Sequence, residues 1–424
     1  MKREDLYTTL LDQQKDFEEE NPSVKRSLSN EITEIFPLKM PIIITGVRRC
    51  GKSFLLKLIK ESMGLKDKSY LYVNFNDERF ANFSVDDFQR ILDFMTEQKY
   101  EEKSFLFLDE IQEAEEWEKW IDRIKKRYSI VITGSNSKLL SSEISSVLTG
   151  RSINLNLMPF DFHEFLAAKQ IRISEQDFNT KQLAILRTNF REFLVSGGMP
   201  QRVVTGNEIV VRELYENILY RDIIKRFGKL SREIREISLY LLSNPSSKIS
   251  TRTISEFSGI KNLSTIKKVL ELFENAFLFF FVNKIGYSVK KQIQNPRKVY
   301  CVDNGFLTTV GFRLSEDKGK LLENLVAIEL KRRRREFFYY SEKKECDFVI
   351  RTGNRITEVI QVCYELNKEN EEREIGGLIE TMETYELKDG LILTFDNERK
   401  IKIKNKKITV IPLWKWLLEK QDKK

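Results

Sequence analysis

Residues Ile42–Leu56 read IIITGVRRCGKSFLL, and this short segment predicts three consecutive structural elements. Its isoleucines are β-branched and apolar, which favours a buried strand. The pattern G-x-x-x-x-G-K-S follows, with Gly46 and Gly51 where the chain must turn tightly, and an apolar segment at helical density comes next. A strand that passes through a glycine turn into a helix directs backbone N–H groups and the positive end of the helix dipole at one point. The segment therefore predicts a cradle for the phosphates of a nucleotide.

The last residues of this loop indicate its chemistry. We expect the Lys52 ammonium to reach the β- and γ-phosphates and the Ser53 hydroxyl to ligate Mg²⁺. The predicted nucleotide-binding residues are Gly46, Val47, Arg48, Arg49, Cys50, Gly51, Lys52, Ser53 and Phe54.

A second segment, Phe105–Glu110 with the sequence FLFLDE, predicts a strand that ends in two carboxylates. Strands and helices alternate after the phosphate loop, which is typical of a parallel sheet, so both acids should emerge at its carboxyl edge. We expect Asp109 to hold Mg²⁺ directly or through water. Glu110 is expected to act as the general base that polarises a water molecule for attack on the γ-phosphate, a role that separates an enzyme from a mere binder.

Two further polar positions are candidates for catalysis. The strand Ile130–Thr133 runs into GSNS, where Ser135 or Asn136 would contact the γ-phosphate or the attacking water; the alternative is an ordinary Asn/Ser turn. Arg151, in a Gly-Arg pair, would stabilise transition-state charge, either in the same chain or as an arginine finger in a neighbouring subunit. A structural ion pair is the alternative for this arginine.

The motifs quoted so far belong to a longer set that resembles one protein family. The set reads GVRRCGKS, FLDEIQ, ITGSNS, LTGR, PFDFHEFL, GGMP and YRDII. It is similar to AAA-type archaeal and bacterial ATPases with a C-terminal domain of unknown function and nuclease-like fold. The resemblance implies ATP as the nucleotide, and it places Gly197–Pro200 and the pair Arg221–Asp222 in or just after a helical lid.

The resemblance also implies an order of domains on an α/β fold. A P-loop ATPase core with a parallel sheet and an N-terminal helical segment is expected at residues 1–160. A helical lid should follow at 161–230 and a winged helix at 231–300. A domain similar to the PD-(D/E)xK nucleases, such as RecB and the Holliday-junction resolvases, is expected at 301–424.

The middle of the chain shows helix–turn–helix spacing before an apolar strand. Leu263–Glu274 predicts an amphipathic second helix, which is typical of a winged helix. If this module binds DNA, Thr265, Lys267 and Lys268 would point into the groove. The alternative is a module that packs on the ATPase domain as a lid.

The last hundred residues have the layout of a metal-dependent nuclease. Glu323 on a helix and Asp347 on a strand occupy the acid positions, but the next strand reads TEVIQVCYEL. Either Glu358 or Gln361 would stand for the second acid, and both alignments lose the lysine that such sites use. Lys368 is one candidate replacement. An active nuclease and a degenerate fold used for nucleic-acid or partner binding both remain open.

Length and composition restrict the class of protein to which this chain can belong. A chain of 424 residues should form two to four domains, and its longest apolar run, Ala276–Val282, is far below the roughly 18 residues that span a bilayer. The four cysteines are widely spaced and favour reduced thiols in a cytoplasmic protein. The net charge of +8 permits a polyanion partner without proving one. The basic run Lys331–Arg335 is either a solvated helix end or a phosphate-contact patch.

These patterns predict a Mg²⁺-dependent ATPase that couples its nucleotide state to the binding of DNA or a partner. One rival is a slow, nucleotide-gated DNA-binding or signalling module, and another is an ATP-controlled DNA endonuclease. The expected partners are ATP, duplex or branched DNA, and a protein partner or further copies of the chain, but no membrane.

Overall fold

The computed structural model describes residues 1–19, 24–38, 40–140, 152–172, 179–286, 295–312 and 317–419. The chain forms two compact units. The first comprises Met1–Met158 with Asn275–Phe277, and the second comprises Pro159–Glu274 with Leu278–Lys424. The division into four domains remains a prediction.

The first unit is built on a parallel sheet of five strands in the order β2-β3-β4-β1-β5. Strand β1 is buried along its whole length, as its isoleucines predict. Strand β4 lies between β1 and β3, so the phosphate loop and the two acids leave the same edge one strand apart. The strands are β1 Ile42–Thr45, β2 Tyr70–Asn74, β3 Phe105–Asp109, β4 Ser129–Gly134 and β5 Ile153–Asn156.

Helices cover this sheet and fill its core. In the fifth helix, Trp117, Trp120, Ile121 and Ile124 recur at helical spacing and are all buried, so both tryptophans are core residues. The helices of the first unit are α1 Arg3–Glu19, α2 Ser27–Ile35, α3 Lys52–Ser62, α4 Asp87–Glu97 and α5 Trp117–Ile124.

The second unit begins with a helical region. Its first helix starts at a capping box in which Asp161 and Glu164 each accept a hydrogen bond from the other's backbone N–H. The helices are α6 Phe162–Ala168, α7 Thr180–Ser196, α8 Pro200–Thr205, α9 Ile209–Asn217, α10 Lys225–Phe227, α11 Ser231–Ser243, α12 Thr251–Ser258 and α13 Leu263–Asn275, with a π-helical segment at Ile218–Ile224.

Two sheets complete the second unit. A small antiparallel sheet has the order β6-β8-β7, and a mixed sheet of six strands has the order β13-β14-β12-β11-β10-β9. The strands are β6 Lys248–Ile249, β7 Phe279–Val282, β8 Arg297–Cys301, β9 Glu336–Ser341, β10 Glu345–Thr352, β11 Arg355–Val362, β12 Asp389–Thr394, β13 Arg399–Ile403 and β14 Lys406–Pro412. The remaining helices are α14 Asn304–Thr309, α15 Lys318–Arg332, α16 Glu371–Thr384 and α17 Leu413–Leu418.

The predicted α/β class is confirmed: a parallel five-stranded sheet is followed by a separate C-terminal sheet. The apolar run Ala276–Val282 becomes a strand only from Phe279, because Phe277 has a positive φ of 56° that interrupts extended backbone. Within the described ranges, no helix is both long and apolar enough to cross a membrane.

The Gly197–Gly198 pair lies where three segments of the second unit meet. The Gly198 N–H donates to Asp303 Oδ2 at 2.6 Å, and the Gly198 carbonyl accepts from the Phe160 N–H at 2.8 Å. A Cβ on Gly198 would lie 2.2 Å from the Phe160 carbonyl oxygen, and one on Gly197 would lie 1.9 Å from Asp303 Oδ1. The G-G-M-P motif therefore serves the close approach of backbone segments.

The four cysteines are free and buried. Burial raises the pKa of Cys50, and it raises the pKa of Cys346 and Cys363 to about 12. Because the thiolate is the reactive form, we expect the native protein to react with a thiol reagent near neutral pH much more slowly than the urea-denatured protein. A time course with Ellman's reagent checks this, and prompt titration of several native thiols would contradict it.

Candidate nucleotide-binding site

Two glycines shape the phosphate loop. Strand β1 ends at Thr45, and a Cβ on Gly46 would lie 2.2 Å from the Leu157 carbonyl oxygen. Gly51 has a φ of 97°, in the left-handed region, and is the N-cap from which α3 begins at Lys52. The loop therefore has the strand, turn and helix that the sequence predicts for a phosphate cradle.

Lys52 is buried beneath this loop with 5% of its surface exposed. Its Nζ donates to the carbonyl oxygens of Gly46 and Val47 at 3.3 and 3.4 Å, and lies 3.2 Å from Glu110 Oε1. Burial by itself would lower the pKa of Lys52, but the negative charges around it, with Glu110 foremost and Asp109 among the others, together raise that pKa above its ordinary value. The lysine is therefore a cation at the point where the phosphates are expected.

Asp109 is buried at the end of β3 and is surrounded by hydroxyl donors. Its Oδ2 accepts from Ser53 Oγ at 2.5 Å and from the Tyr72 hydroxyl at 2.9 Å, and its Oδ1 accepts from the Thr133 hydroxyl. Burial raises the pKa of Asp109, and the neighbouring Glu110 carboxylate adds to the rise. Hydroxyl and carboxylate oxygens are the protein ligands that Mg²⁺ prefers, so Ser53 and Asp109 fit the predicted ion.

Glu110 is held at three points. The residue has a φ of 51°, and its Oε2 accepts from Gln112 Nε2 at 2.6 Å and from the Ser135 N–H at 3.0 Å, while Oε1 faces Lys52. Burial would raise the pKa of Glu110, but the Lys52 ammonium and the Gln112 amide together lower it below its ordinary value. The side chain is therefore an ionised proton acceptor in a defined orientation.

Asn136 is 3% exposed and lies two residues after the end of β4, the strand beside the one that ends in Asp109. It is the backbone N–H of Ser135, and not its side chain, that contacts Glu110. Phe54, the last residue of the predicted loop, is 44% exposed. Arg151 lies outside the described residues.

Two residues join the site that were not predicted as site residues. Gln112, the last residue of the FLDEIQ motif, orients Glu110. Arg26 is 4% exposed, and its guanidinium donates to the carbonyl oxygens of Cys50 at 2.8 Å and Met158 at 2.6 Å. Arg26 therefore supports the phosphate loop from behind, from a position 24 residues upstream of Cys50.

The C-terminal sheet brings some of the candidate nuclease residues together and separates others. Glu323 on α15 and Asp347 on β10 both contact Lys298 Nζ at 2.9 Å. Glu358 is exposed and pairs with Arg335 instead. It sits three positions along β11 from Gln361, which puts it on the other face of the strand.

Gln361 lies beside Asp347, where it makes the hydrogen bonds of an amide and not those of a carboxylate. Its Oε1 accepts from the Asp347 N–H at 3.3 Å, and its Nε2 donates to Glu374 Oε2 at 2.7 Å. The lysine that contacts Asp347 is Lys298 on β8, whereas Lys368 is exposed. Burial, together with Asp347, raises the pKa of Glu323 to about 7.

The candidate DNA-binding residues lie on α13. Lys267 and Lys268 are exposed and Thr265 is half-buried, while the opposite face of the helix is buried. The basic run Lys331–Arg335 is used inside the second unit. Arg333, for example, pairs with Glu329 at 2.8 Å and its guanidinium lies 4.0 Å from the Trp416 ring centre. This favours a structural helix end over a phosphate-contact patch.

Comparison with known proteins supports the reading of the first unit. Residues 38–166 match the AAA domain family, and residues 187–318 and 318–416 match the domains of unknown function DUF8612 and DUF4143. The chain is 34% identical to the uncharacterized protein MJ1544 of Methanocaldococcus jannaschii, over 91% of this chain and 89% of that protein. It is 31% identical to an uncharacterized protein of Haemophilus influenzae, over 89% of this chain and 94% of that protein.

Among solved structures, Cdc6p from Pyrobaculum aerophilum aligns with a TM-score of 0.30 and 12% identity, over 74% of this chain and 98% of that one. AMPPCP-bound DnaA from Aquifex aeolicus aligns with a TM-score of 0.24 and 16% identity, over 58% of this chain and 87% of that one.

Proposed function

Because this chain belongs to the same family as MJ1544 of Methanocaldococcus jannaschii and carries an AAA domain, we propose that it is a Mg²⁺-dependent ATPase. One observation carries the proposal. The carboxylate of Asp109 meets the Ser53 hydroxyl at 2.5 Å, while Glu110 beside it meets Lys52 at 3.2 Å. The pair proposed to bind the metal, Ser53 and Asp109, thus lies beside the pair proposed to supply the cation and the general base, Lys52 and Glu110. Both pairs lie at the carboxyl edge of one parallel sheet.

Each pair has its own task in this proposal. Ser53 and Asp109 would hold Mg²⁺, which supplies positive charge to the phosphates when it is bound. Lys52 binds the β- and γ-phosphates, and in doing so exchanges the Glu110 carboxylate for phosphate oxygens. Glu110, still held by Gln112 and the Ser135 N–H, then accepts a proton from the attacking water.

The outcome of hydrolysis is proposed to be a change in what the rest of the chain binds. Loss of the γ-phosphate removes the contacts of Lys52 and of Asn136 with it, and such a loss releases neighbouring segments in nucleotide switches. In this proposal the predicted lid, winged helix and nuclease-like domain turn that release into binding or release of DNA or of a protein partner. Arg151 would act on the γ-phosphate in the same chain or in a second copy.

A slow, nucleotide-gated binding module is the second candidate, and the Lys52–Glu110 ion pair favours it. Glu110, the proposed base, is paired with Lys52, the lysine that must bind phosphate, so each turnover begins by breaking this ion pair. The pair is largely buried, since the Lys52 side chain is 4% exposed and the Glu110 side chain is 20% exposed. A low basal rate that does not respond to DNA, together with salt-sensitive DNA binding, would support this candidate over a motor.

The test is steady-state ATP hydrolysis with Mg²⁺ by the full chain, beside Lys52→Ala and the control Lys66→Ala. Lys66 is exposed, so its loss should leave both binding and turnover unchanged. A charge-assisted contact contributes about 1.5–3 kcal/mol, so Lys52→Ala should weaken ATP binding by about 10- to 100-fold and abolish measurable turnover. Equal hydrolysis by Lys52→Ala and the parent would overturn the proposal.

The same assay, repeated with duplex, single-stranded and branched DNA, identifies the partner class. Stimulation by one form of DNA, absent in Lys52→Ala, would indicate a nucleic-acid-coupled ATPase. Unchanged hydrolysis with every form would favour a protein partner and assign the helix–turn–helix module to the lid.

A further inference from the structure

The hairpin of β13 and β14 has two faces of opposite character. In an antiparallel pair, residues directly opposite each other lie on the same face of the sheet. Ile401 lies opposite Ile408, and both pack into the apolar core of the six-stranded sheet. On the same face the Lys406 ammonium donates to the carbonyl oxygens of Met382 at 3.2 Å and Leu387 at 2.5 Å. This inner face therefore holds the hairpin in place.

The outer face of the hairpin is covered by lysines. Side chains alternate along a strand, so Lys400 and Lys402 project away from the core that Ile401 packs into. Lys407 on β14 lies directly opposite Lys402, and Lys404 lies in the turn that joins the two strands. All four lysines are exposed. We call Lys400, Lys402, Lys404 and Lys407 the lysine face.

The positive charge of the lysine face is largely unpaired. The neighbouring Arg399, on the inner face, pairs with Glu371 at 2.9 Å. Within the described ranges, by contrast, none of the four lysines forms an ion pair with a carboxylate. Asp389 on β12 is in register with Lys407 and would offset one charge. An excess of about three positive charges therefore remains on one small exposed surface.

Protection of the sheet edge does not account for this arrangement. Strand β13 lies at the edge of the sheet, where lysines prevent pairing with other chains, and this would explain Lys400 and Lys402. Lys407 lies on β14, which has a neighbouring strand on each side. Like charges directly opposite each other destabilise an antiparallel pair, so Lys402 and Lys407 together cost stability that edge protection does not require. An anionic partner would offset that cost.

The surroundings of the lysine face indicate the kind of partner. Membrane insertion and apolar protein docking use exposed large hydrophobic side chains, and residues 317–419 expose none. Proteins that bind single-stranded nucleic acid stack its bases on exposed aromatic rings, which this described range also lacks. A duplex keeps its bases stacked inside and presents its phosphates outward. A face that offers charge alone therefore matches a duplex.

We propose that the lysine face binds the phosphate backbone of a duplex nucleic acid, DNA or RNA, without reading its sequence. Lysine is a compact point charge on a flexible stem, which suits contact with phosphates better than recognition of base edges. Bound phosphates would also relieve the repulsion between Lys402 and Lys407. This inference rests on the nucleic-acid partner in the proposed function, and it does not depend on ATP hydrolysis.

The test is binding of the full chain to short fluorescein-labelled DNA and RNA duplexes, measured by fluorescence anisotropy at several salt concentrations without nucleotide. The variant Lys400→Gln/Lys402→Gln/Lys407→Gln removes three charges and keeps side chains of similar length. Each phosphate contact contributes about 0.9 to the slope of log K against log salt, so the variant should reduce the magnitude of that slope by about 2–3. We expect its affinity for at least one duplex at low salt to fall by about 10-fold or more.

Thermal unfolding followed by circular dichroism shows whether the variant is folded. Because the lysines are exposed and Lys402 opposes Lys407, their replacement should leave the unfolding temperature unchanged or raise it slightly. A clear decrease would mean that these lysines stabilise the fold, and the binding surface would be wrong.

Lys66→Gln/Lys99→Gln/Lys103→Gln is the matched control, since these three lysines are exposed in the first unit and their loss changes the net charge equally. It should bind duplex as the parent does. Equal affinity and equal salt slope in the lysine-face variant and the parent would overturn the proposal, as would a parent that binds anionic lipid vesicles but no duplex. ATP hydrolysis by that parent would leave the ATPase proposal standing, so the two failures are distinguishable.

Discussion

The Glu110→Gln substitution is expected to lower kcat for ATP hydrolysis by about 10²- to 10⁴-fold, the usual contribution of a positioned general base. Glutamine keeps the shape of the side chain and an oxygen that accepts from the Ser135 N–H, which lies 3.0 Å from Glu110 Oε2. It cannot take a proton from water. Nucleotide should bind at least as tightly as to the parent, because Lys52 no longer has to leave a carboxylate that stands 3.2 Å away.

This experiment needs both rate and affinity. Single-turnover hydrolysis gives the chemical step, and titration with a fluorescent ATP analogue gives the dissociation constant. Glu113→Gln is the matched control, since Glu113 lies three positions along the chain, is exposed and should tolerate the change. Hydrolysis by Glu110→Gln at the parent rate, with equal binding, would remove Glu110 from the catalytic role.

The Gly198→Ala substitution is expected to destabilise the second unit by about 3 kcal/mol, the upper end of the usual cost of overpacking. The added methyl would lie 2.2 Å from the Phe160 carbonyl oxygen and 3.1 Å from that residue's carbonyl carbon and nitrogen. These are backbone atoms, so no flexible side chain can move aside. Relief would require separating Gly198 from Phe160 and from Asp303, with loss of two hydrogen bonds.

Differential scanning calorimetry of the full chain measures this effect. A loss of about 3 kcal/mol should lower the unfolding temperature of the affected transition by about 6–12 °C for a unit of this size. Gly319→Ala is the matched control. Gly319 lies in α15, where the nearest neighbour of an added Cβ is 3.4 Å away, so the methyl should be neutral or slightly stabilising. An unchanged unfolding temperature in Gly198→Ala would show that this contact is not a tight one.

The first unit shows how much of the structure local sequence patterns can predict. The glycine spacing, the isoleucine strand and the FLFLDE segment each span only a few residues. The backbone and burial preferences that decide their structure also act between residues this close in sequence. The same is true of Trp117 and Trp120, whose helical spacing matches the buried face of α5. Where the rule is local, the prediction reached individual side chains.

The C-terminal region illustrates where local pattern stops. A lysine beside Asp347 was sought on or near β11, but the lysine that contacts this aspartate is Lys298 on β8, 49 positions before it. The basic run Lys331–Arg335 left two alternatives open because its partners, such as Trp416, lie 83 positions away. Both predictions were incomplete because the side chains concerned contact partners that are far away along the chain.

By itself the sequence determined the strand, glycine turn and helix of the predicted phosphate cradle and the strand end that carries the two acids, because a turn, a strand end and a helix start are set by neighbouring residues. Tertiary structure alone decided that Arg26 supports the loop, that Asp303 and Phe160 require Gly198, and that Lys298 pairs with two of the candidate nuclease residues. Each of these contacts forms only when distant segments pack together, and burial then makes an unpaired charge or an extra methyl costly. Contacts between groups that are distant in sequence are therefore decided by the packing of the fold and not by any local pattern of residues.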